Sequence, residues 1–284
     1  MTNAFEQALL SLEAQSAAVI QKNEGDYEKD GLLYCGKCHT QKQARVNILG
    51  VEHKPMCMCK CESERYEQEK REAEQRSKIQ RLETLRKEGF PDADLEKCTF
   101  ESDDGANEKI IKIAKKYVDN FAEMKRRNKG LLLYGGVGTG KTFVAACIAN
   151  ALITKGIPCL VTNFSRLINT IQGQRDNRQE YIDSLCQFDL LVIDDLAAER
   201  DTEYMQETVM NIIDSRYRSG LPLIVTTNLT VNQIKNPEDI RKSRIYSRLM
   251  GMCIPIEVQG TDRRKTKLRD DYKEIGEMLG IIGG

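Results

Sequence analysis

At 284 residues the chain has room for one medium domain and a smaller one, and 40% hydrophobic residues supply a core. Lys+Arg and Asp+Glu both number 43, so bulk charge excludes an overall electrostatic grip on nucleic acid, and any such contact must be local. No apolar run reaches the roughly 18–20 residues of a membrane-spanning helix, and the start lacks the basic-then-apolar pattern of a secretory signal. The expectation is a cytoplasmic protein without membrane contact, whose ten cysteines act as metal ligands or buried thiols rather than disulfides.

Residues 3–22 place Phe5, Ala8, Leu9, Leu12, Val19 and Ile20 at spacings that predict an amphipathic helix, packed on its own small domain or docked on a partner. Cys35-x-x-Cys38 is followed about twenty residues later by Cys57-Met-Cys59-Lys-Cys61. Paired cysteines at this separation suit a structural Zn²⁺ site, because four thiolates complete a tetrahedral shell and staple a segment with little apolar sequence. Cys35, Cys38, Cys59 and Cys61 are the expected ligands, with Cys57 as the alternate and His39 and His53 behind it. A redox Cys-x-x-Cys would open a helix after a strand in a βαβ setting, which is absent around Cys35. Residues 1–61 thus read as an N-terminal helix and zinc-binding domain.

Glu62 to Gly89 interleaves acids and bases almost without pause, with opposite charges at i,i+4 such as Glu67 and Arg71. Residues 62–97 read as a charged helical connector ended by Gly89-Phe-Pro91; its acids argue against a nucleic-acid arm. A second domain, 98–284, begins with a helix over 106–126, whose apolar face carries Ile110, Ile113, Ala114, Tyr117, Val118 and Phe121.

Leu131 to Tyr134 reads as a buried strand. It runs into Gly135-Gly136-Val137-Gly138-Thr139-Gly140-Lys141-Thr142, and Phe143 to Thr154 reads as a helix. Strand, glycine loop and helix are the setting of a phosphate-binding loop: backbone N–H groups point inward at phosphate oxygens, and the helix adds its positive end. Lys141 would reach the β- and γ-phosphates of ATP, and the Thr142 hydroxyl would hold Mg²⁺. Pro158 to Val161 predicts a strand, Ser165 to Gln172 a helix, and a further helix runs through Leu185 after the loop Gly173 to Arg178. Phe188 to Asp195 is an apolar run ending in two acids, which suits a central parallel strand. Asp194 would hold Mg²⁺ through water, and Asp195 would orient and deprotonate the attacking water. A helix over Thr202 to Ser219 precedes a strand, Leu221 to Thr226, with Asn228 at its tip as a sensor of the γ-phosphate or the attacking water. Pro237 to Met250 carries Arg241, Arg244 and Arg248 at helical spacings, and one arginine there could reach a neighbouring subunit's nucleotide. Cys253 to Val258 predicts the last strand. Arg126–Lys129 and Arg263–Arg269 are the basic clusters available for phosphate backbones.

The order of these parts, with Leu191-Val-Ile-Asp-Asp-Leu-Ala-Ala-Glu199 and Ile245-Tyr-Ser-Arg-Leu249, resembles the AAA+ ATPases of the DnaC/DnaI helicase-loader branch and its IstB-like relatives over roughly residues 98–270. The resemblance implies an α/β class, an αβα P-loop core with a central parallel sheet. It assigns Walker A to Gly135–Thr142, Walker B to Asp194 and Asp195, sensor 1 to Asn228 and the arginine finger to Arg248, with Arg244 as the alternative. Ala197 stands where this branch usually has glycine, and Asp195 where most AAA+ proteins have glutamate, which leaves Glu199 as the next candidate base. The cysteine cluster resembles the helicase-contacting zinc domain of DnaI-like and phage-encoded loaders, which IstB-like transposition helpers usually lack. The function implied is slow, partner-regulated ATP hydrolysis that loads a hexameric, DnaB-type replicative helicase onto single-stranded DNA, with ATP-dependent self-association in a ring or spiral. An IstB-like ATPase assisting transposition target selection is the alternative.

Overall fold

A computed structural model describes residues 22–48, 50–173, 177–196, 202–237 and 239–262, with positions 272, 275, 278, 279 and 281 beyond them. The helix expected over 3–22, Ala197, Glu199 and the basic run Arg263–Arg269 lie outside the described residues. The chain divides into two compact units, Met1–Ile79 and Gln80–Gly284.

Among its described residues the first unit has two antiparallel hairpins, β1 (Tyr27–Lys29) with β2 (Leu32–Tyr34), and β3 (Val46–Ile48) with β4 (Val51–His53). Asp30 and Gly31, both at positive φ, make the tight turn of the first hairpin. Beneath it Lys42 is fully buried, and its ammonium meets Asp26 at 2.9 Å. Asp26 also accepts from the amides of Asn23 and Gly36, tying the Cys35–Cys38 turn to the strand that follows. Helix α1 (Lys60–Gly89) follows, exposed along most of its length and lined with i,i+4 pairs such as Lys60–Glu64 and Arg71–Glu67.

The second unit is a five-stranded, wholly parallel sheet flanked by helices. Its strands are β5 (Gly130–Tyr134), β6 (Cys159–Asn163), β7 (Leu190–Leu196), β8 (Leu223–Thr227) and β9 (Cys253–Glu257), in spatial order β6-β7-β8-β5-β9. Alternate residues face opposite ways, so each face has its own core. Leu131, Leu133, Val161, Val192 and Ile224 pack under helix α2 (Glu108–Asp119) and under helix α4 (Lys141–Thr154), which follows the short helix α3 (Phe121–Arg126). Leu132, Leu160, Leu191, Ile193 and Val225 pack under α5 (Phe164–Gly173), α6 (Arg178–Ser184), α7 (Glu203–Ser219), α8 (Val231–Lys235) and α9 (Ile240–Met252). Helix α4 is apolar nearly all round because it is buried nearly all round, from Val144 to Ile153.

Three details differ from the sequence reading. The helix expected over 106–126 breaks into α2 and α3 at Asn120, whose side-chain amide donates to the Lys116 carbonyl and competes with the helical ladder. The helix expected over Pro237 to Met250 starts instead after Asp239, which caps it by accepting from the Arg241 amide. The core of the second unit also takes in Leu85 and Phe90, from ahead of residue 98. There the end of α1 approaches so closely that a Cβ on Gly89 would stand 2.5 Å from the Cys159 carbonyl oxygen. No helix among the described residues is long and apolar enough to cross a membrane.

Candidate functional site

In a doubly wound sheet the ligand crevice lies beyond the carboxyl ends of the strands, where the connections diverge. Here the chain leaves β5 through the glycine loop and α4 to reach β6 at the far edge, then returns through β7 and β8. The tips of β7 and β8 therefore come to the loop that follows β5.

Gly138 and Gly140 sit at φ +75° and +93°, which folds the loop back over the start of α4. At Gly138 the space is also taken, since a Cβ there would meet the Asp262 carboxylate at 1.8 Å. Lys141 is 5% exposed, and its ammonium donates to the carbonyls of Gly135 (3.1 Å) and Gly136 (2.7 Å) and to Asn228 Oδ1 (2.8 Å). The Thr142 hydroxyl lies 2.8 and 2.9 Å from the two Asp194 carboxylate oxygens. Lys141, Thr142, Asp194 and Asn228 are thus brought together from β5, β7 and β8. Burial pushes the Asp194 carboxyl up, against the lowering effect of the Thr226 and Thr142 hydroxyls.

Asp195 faces solvent at the same tip, on a backbone with φ +57°. The β7–β8 register explains this: Ile193 pairs with Val225 and Leu196 with Thr227, so the two aspartates stand opposite the single residue Thr226. Sequence reasoning missed Thr226, which is fully buried. Its hydroxyl meets Asp194 Oδ1 at 2.5 Å and accepts from the Asp195 amide at 3.0 Å. A β-branched polar residue two positions before the sensor Asn228 was the available signal.

The structure does not bring the arginines of α9 to this cluster within one chain. Arg248 is held by Asp214 of α7 at 2.6 Å, and Asp214 also pairs with Arg218. Arg244 is exposed and lines a cleft of about 280 Å³ with Glu203, Gln206, Glu207, Met210 and Arg241.

The residues present fit a nucleotide with Mg²⁺: glycines at positive φ fold the loop over the start of α4, a buried cation stands at the loop, and a hydroxyl lies beside a carboxylate as a pair of hard oxygen donors. In the first unit, the thiols of Cys35, Cys38, Cys59 and Cys61 lie within 4.8 Å of one another, with Cys35–Cys61 at 3.6 Å and Cys59–Cys61 at 3.4 Å. Four sulfurs about 2.3 Å from a common zinc stand roughly 3.8 Å apart, so the cluster could hold Zn²⁺. The Thr40 hydroxyl, 3.1 Å away, draws the Cys38 thiol down to about 5, whereas burial pushes Cys59 up to about 12. Cys57 lies outside the cluster, with its thiol 3.7 Å from the Gln41 carbonyl.

Comparison with known proteins places this architecture among relatives. The model of the IstB-like ATP binding protein family matches residues 58–270. The replicative helicase loader DnaI of Bacillus subtilis (strain 168) is 25% identical over 209 residues, covering 69% of this chain and 66% of that protein. The chain thus spans slightly less than two thirds of that relative's length. The replicative helicase loader DnaC of Buchnera aphidicola subsp. Schizaphis graminum is 26% identical over 184 residues, covering 62% of this chain and 72% of that protein. A crystal structure of DnaI superposes with a TM-score of 0.50 at 26% identity, over 61% of this chain and 94% of that one.

Proposed function

From a chain that belongs to the IstB-like ATP-binding family and carries its AAA+ core, we propose an ATP-hydrolysing loader that places a hexameric replicative helicase on single-stranded DNA. The observation that carries this reading is the joining of Lys141, Thr142, Asp194 and Asn228 at the carboxyl edge of the sheet, in a chain whose other unit holds a four-thiol cluster. Cys35 and Cys38 precede the segment shared with the family at large, which begins at residue 58. That addition favours a loader over an ATPase that assists transposition.

In this reading the loop amides and Lys141 bind the β- and γ-phosphates, and Asn228 holds the ammonium in place from the neighbouring strand. Thr142 and Asp194 would hold Mg²⁺, which when bound offsets charge on the phosphate oxygens. Asp195, free of the strand's packing and open to solvent, orients the attacking water and takes its proton. The loader works as a timer: ATP sets a DNA-holding state and hydrolysis ends it. Self-association in a ring or spiral lets one copy supply an arginine, Arg248 or Arg244, to the next copy's phosphates. Arg248 would have to leave Asp214 to do so, while Arg244 is already exposed.

The decisive experiment is capture of the tagged full chain with the cell's replicative helicase, followed by helicase loading on a single-stranded circle with ATP. Helicase that neither co-purifies nor loads, with a transposase recovered in its place, would transfer the assignment to the transposition reading.

A further inference from the structure

The two aspartates at the tip of β7 have different surroundings and so need something to keep them apart. In regular strand geometry adjacent side chains point to opposite faces, and one of these carboxylates would be driven toward the packed layers of the sheet. The bulge avoids this by setting Asp194 and Asp195 together against one residue of β8. A bulge leaves one amide outside the ladder, and here the orphan is the Asp195 N–H. Asp195 also takes a left-handed backbone, which a residue with a Cβ adopts only when its surroundings hold it there.

One buried hydroxyl answers both needs. Thr226 Oγ1 accepts from the Asp195 amide at 3.0 Å and its O–H donates to Asp194 Oδ1 at 2.5 Å. Its neighbours on β8 have other tasks: the Thr227 hydroxyl closes the bulge at the Leu196 carbonyl, and Asn228 holds Lys141. We infer that Thr226 is a positioning residue for ATP hydrolysis, fixing the bulge so that Asp194 faces the Thr142 hydroxyl while Asp195 is presented to water. The inference rests on the nucleotide-site reading above and adds to it a residue that touches neither phosphate nor metal.

The test uses the full chain with substitutions at Thr226, and Lys141→Ala as a control. Thr226→Val keeps the shape and removes both hydrogen bonds; Thr226→Ser keeps both. For Thr226→Val we expect affinity for a fluorescent ATP analogue within about 3-fold of the parent, and kcat lower by about 10-fold or more with KM little changed, since a hydrogen bond to a charged group is lost at the reacting end only. Thr226→Ser should return kcat to within about 3-fold of the parent. Equal kcat for valine and threonine overturns the inference, and so does a serine variant as impaired as the valine one, which would mark Thr226 as packing alone. Should valine prevent folding, Thr226→Cys against Thr226→Ser makes the same comparison, because a thiol of similar size is a much weaker donor. Parent and Lys141→Ala are measured beside them. A parent that binds no ATP defeats the nucleotide-site reading itself, an outcome distinct from failure of the Thr226 inference.

Discussion

Lys141 is a cation held almost wholly out of water by three oxygen acceptors, so its charge is already aimed before any phosphate arrives. Lys141→Ala should abolish detectable binding of a fluorescent ATP analogue while leaving the circular dichroism spectrum unchanged; retained affinity would remove the loop's assignment. Asp195→Asn should behave differently, binding ATP like the parent and losing about 100-fold or more in steady-state hydrolysis, in the range typical of a general base. An unchanged rate would move the base elsewhere, with Glu199 next in line. The two arginines separate by the same logic. If Arg248 acts across subunits, Arg248→Ala binds ATP, hydrolyses it poorly, and regains activity when mixed with Lys141→Ala. If rescue follows Arg244→Ala instead, the Arg248–Asp214 pair is a tie between α9 and α7.

Among elements, the strand that carries the acids, β7, and its neighbour β8 are held together at their entries by one buried arginine. Arg216 on α7 is 1% exposed, and its guanidinium donates to the carbonyls of Pro222, Phe188, Asp189 and Leu185. It pins the entries to β7 and β8 together, and burial lowers its pKa to about 10, which leaves it charged at neutral pH. Arg216→Met should destabilise the second unit by roughly 3 kcal/mol, because several buried carbonyls lose their donor; thermal unfolding measures it. In the first unit the corresponding fixture is the thiol cluster. Metal analysis should find one zinc per chain, and Cys35→Ser or Cys59→Ser should lose it while ATP binding persists. Cys57→Ser should keep the metal, because that thiol lies outside the cluster. Zinc retained in the Cys59→Ser variant would mean that Cys57 replaces it.

On the scale of the whole molecule, a chain with no net charge cannot hold DNA everywhere, and the proposed labour is divided between its units. The unit with the four-thiol cluster is the candidate for holding the helicase, and the unit with the nucleotide site and the basic clusters for single-stranded DNA in the presence of ATP. Fragments should be cut near residue 80 rather than after Phe90, because Leu85 and Phe90 belong to the core of the second unit. Residues 80–284 should bind a labelled single strand with an affinity that falls steeply as salt rises, as counterion release requires, and residues 1–79 should capture the helicase. Helicase capture by 80–284 alone would reverse the division.

The sequence alone determined the parts whose chemistry is local. A glycine loop between an apolar strand and a helix, an apolar run ending in two acids, and cysteines in pairs each owe their form to neighbours along the chain, so order and spacing revealed them. The parallel αβα core was implied by the family resemblance that these parts carry. What the tertiary structure decided were matters of register and close approach between distant segments. The bulge exists only because β7 lies against β8, so no pattern within Leu190–Leu196 could show that Thr226 would meet both aspartates. Nothing in the helical pattern of Thr202 to Ser219 singles out Arg216, which is buried because the turns before β7 and β8 close around it. The spacing named Cys59 as a ligand with Cys57 as its alternate, and the path of the chain past Thr40 puts the Cys59 thiol inside the cluster and leaves Cys57 out.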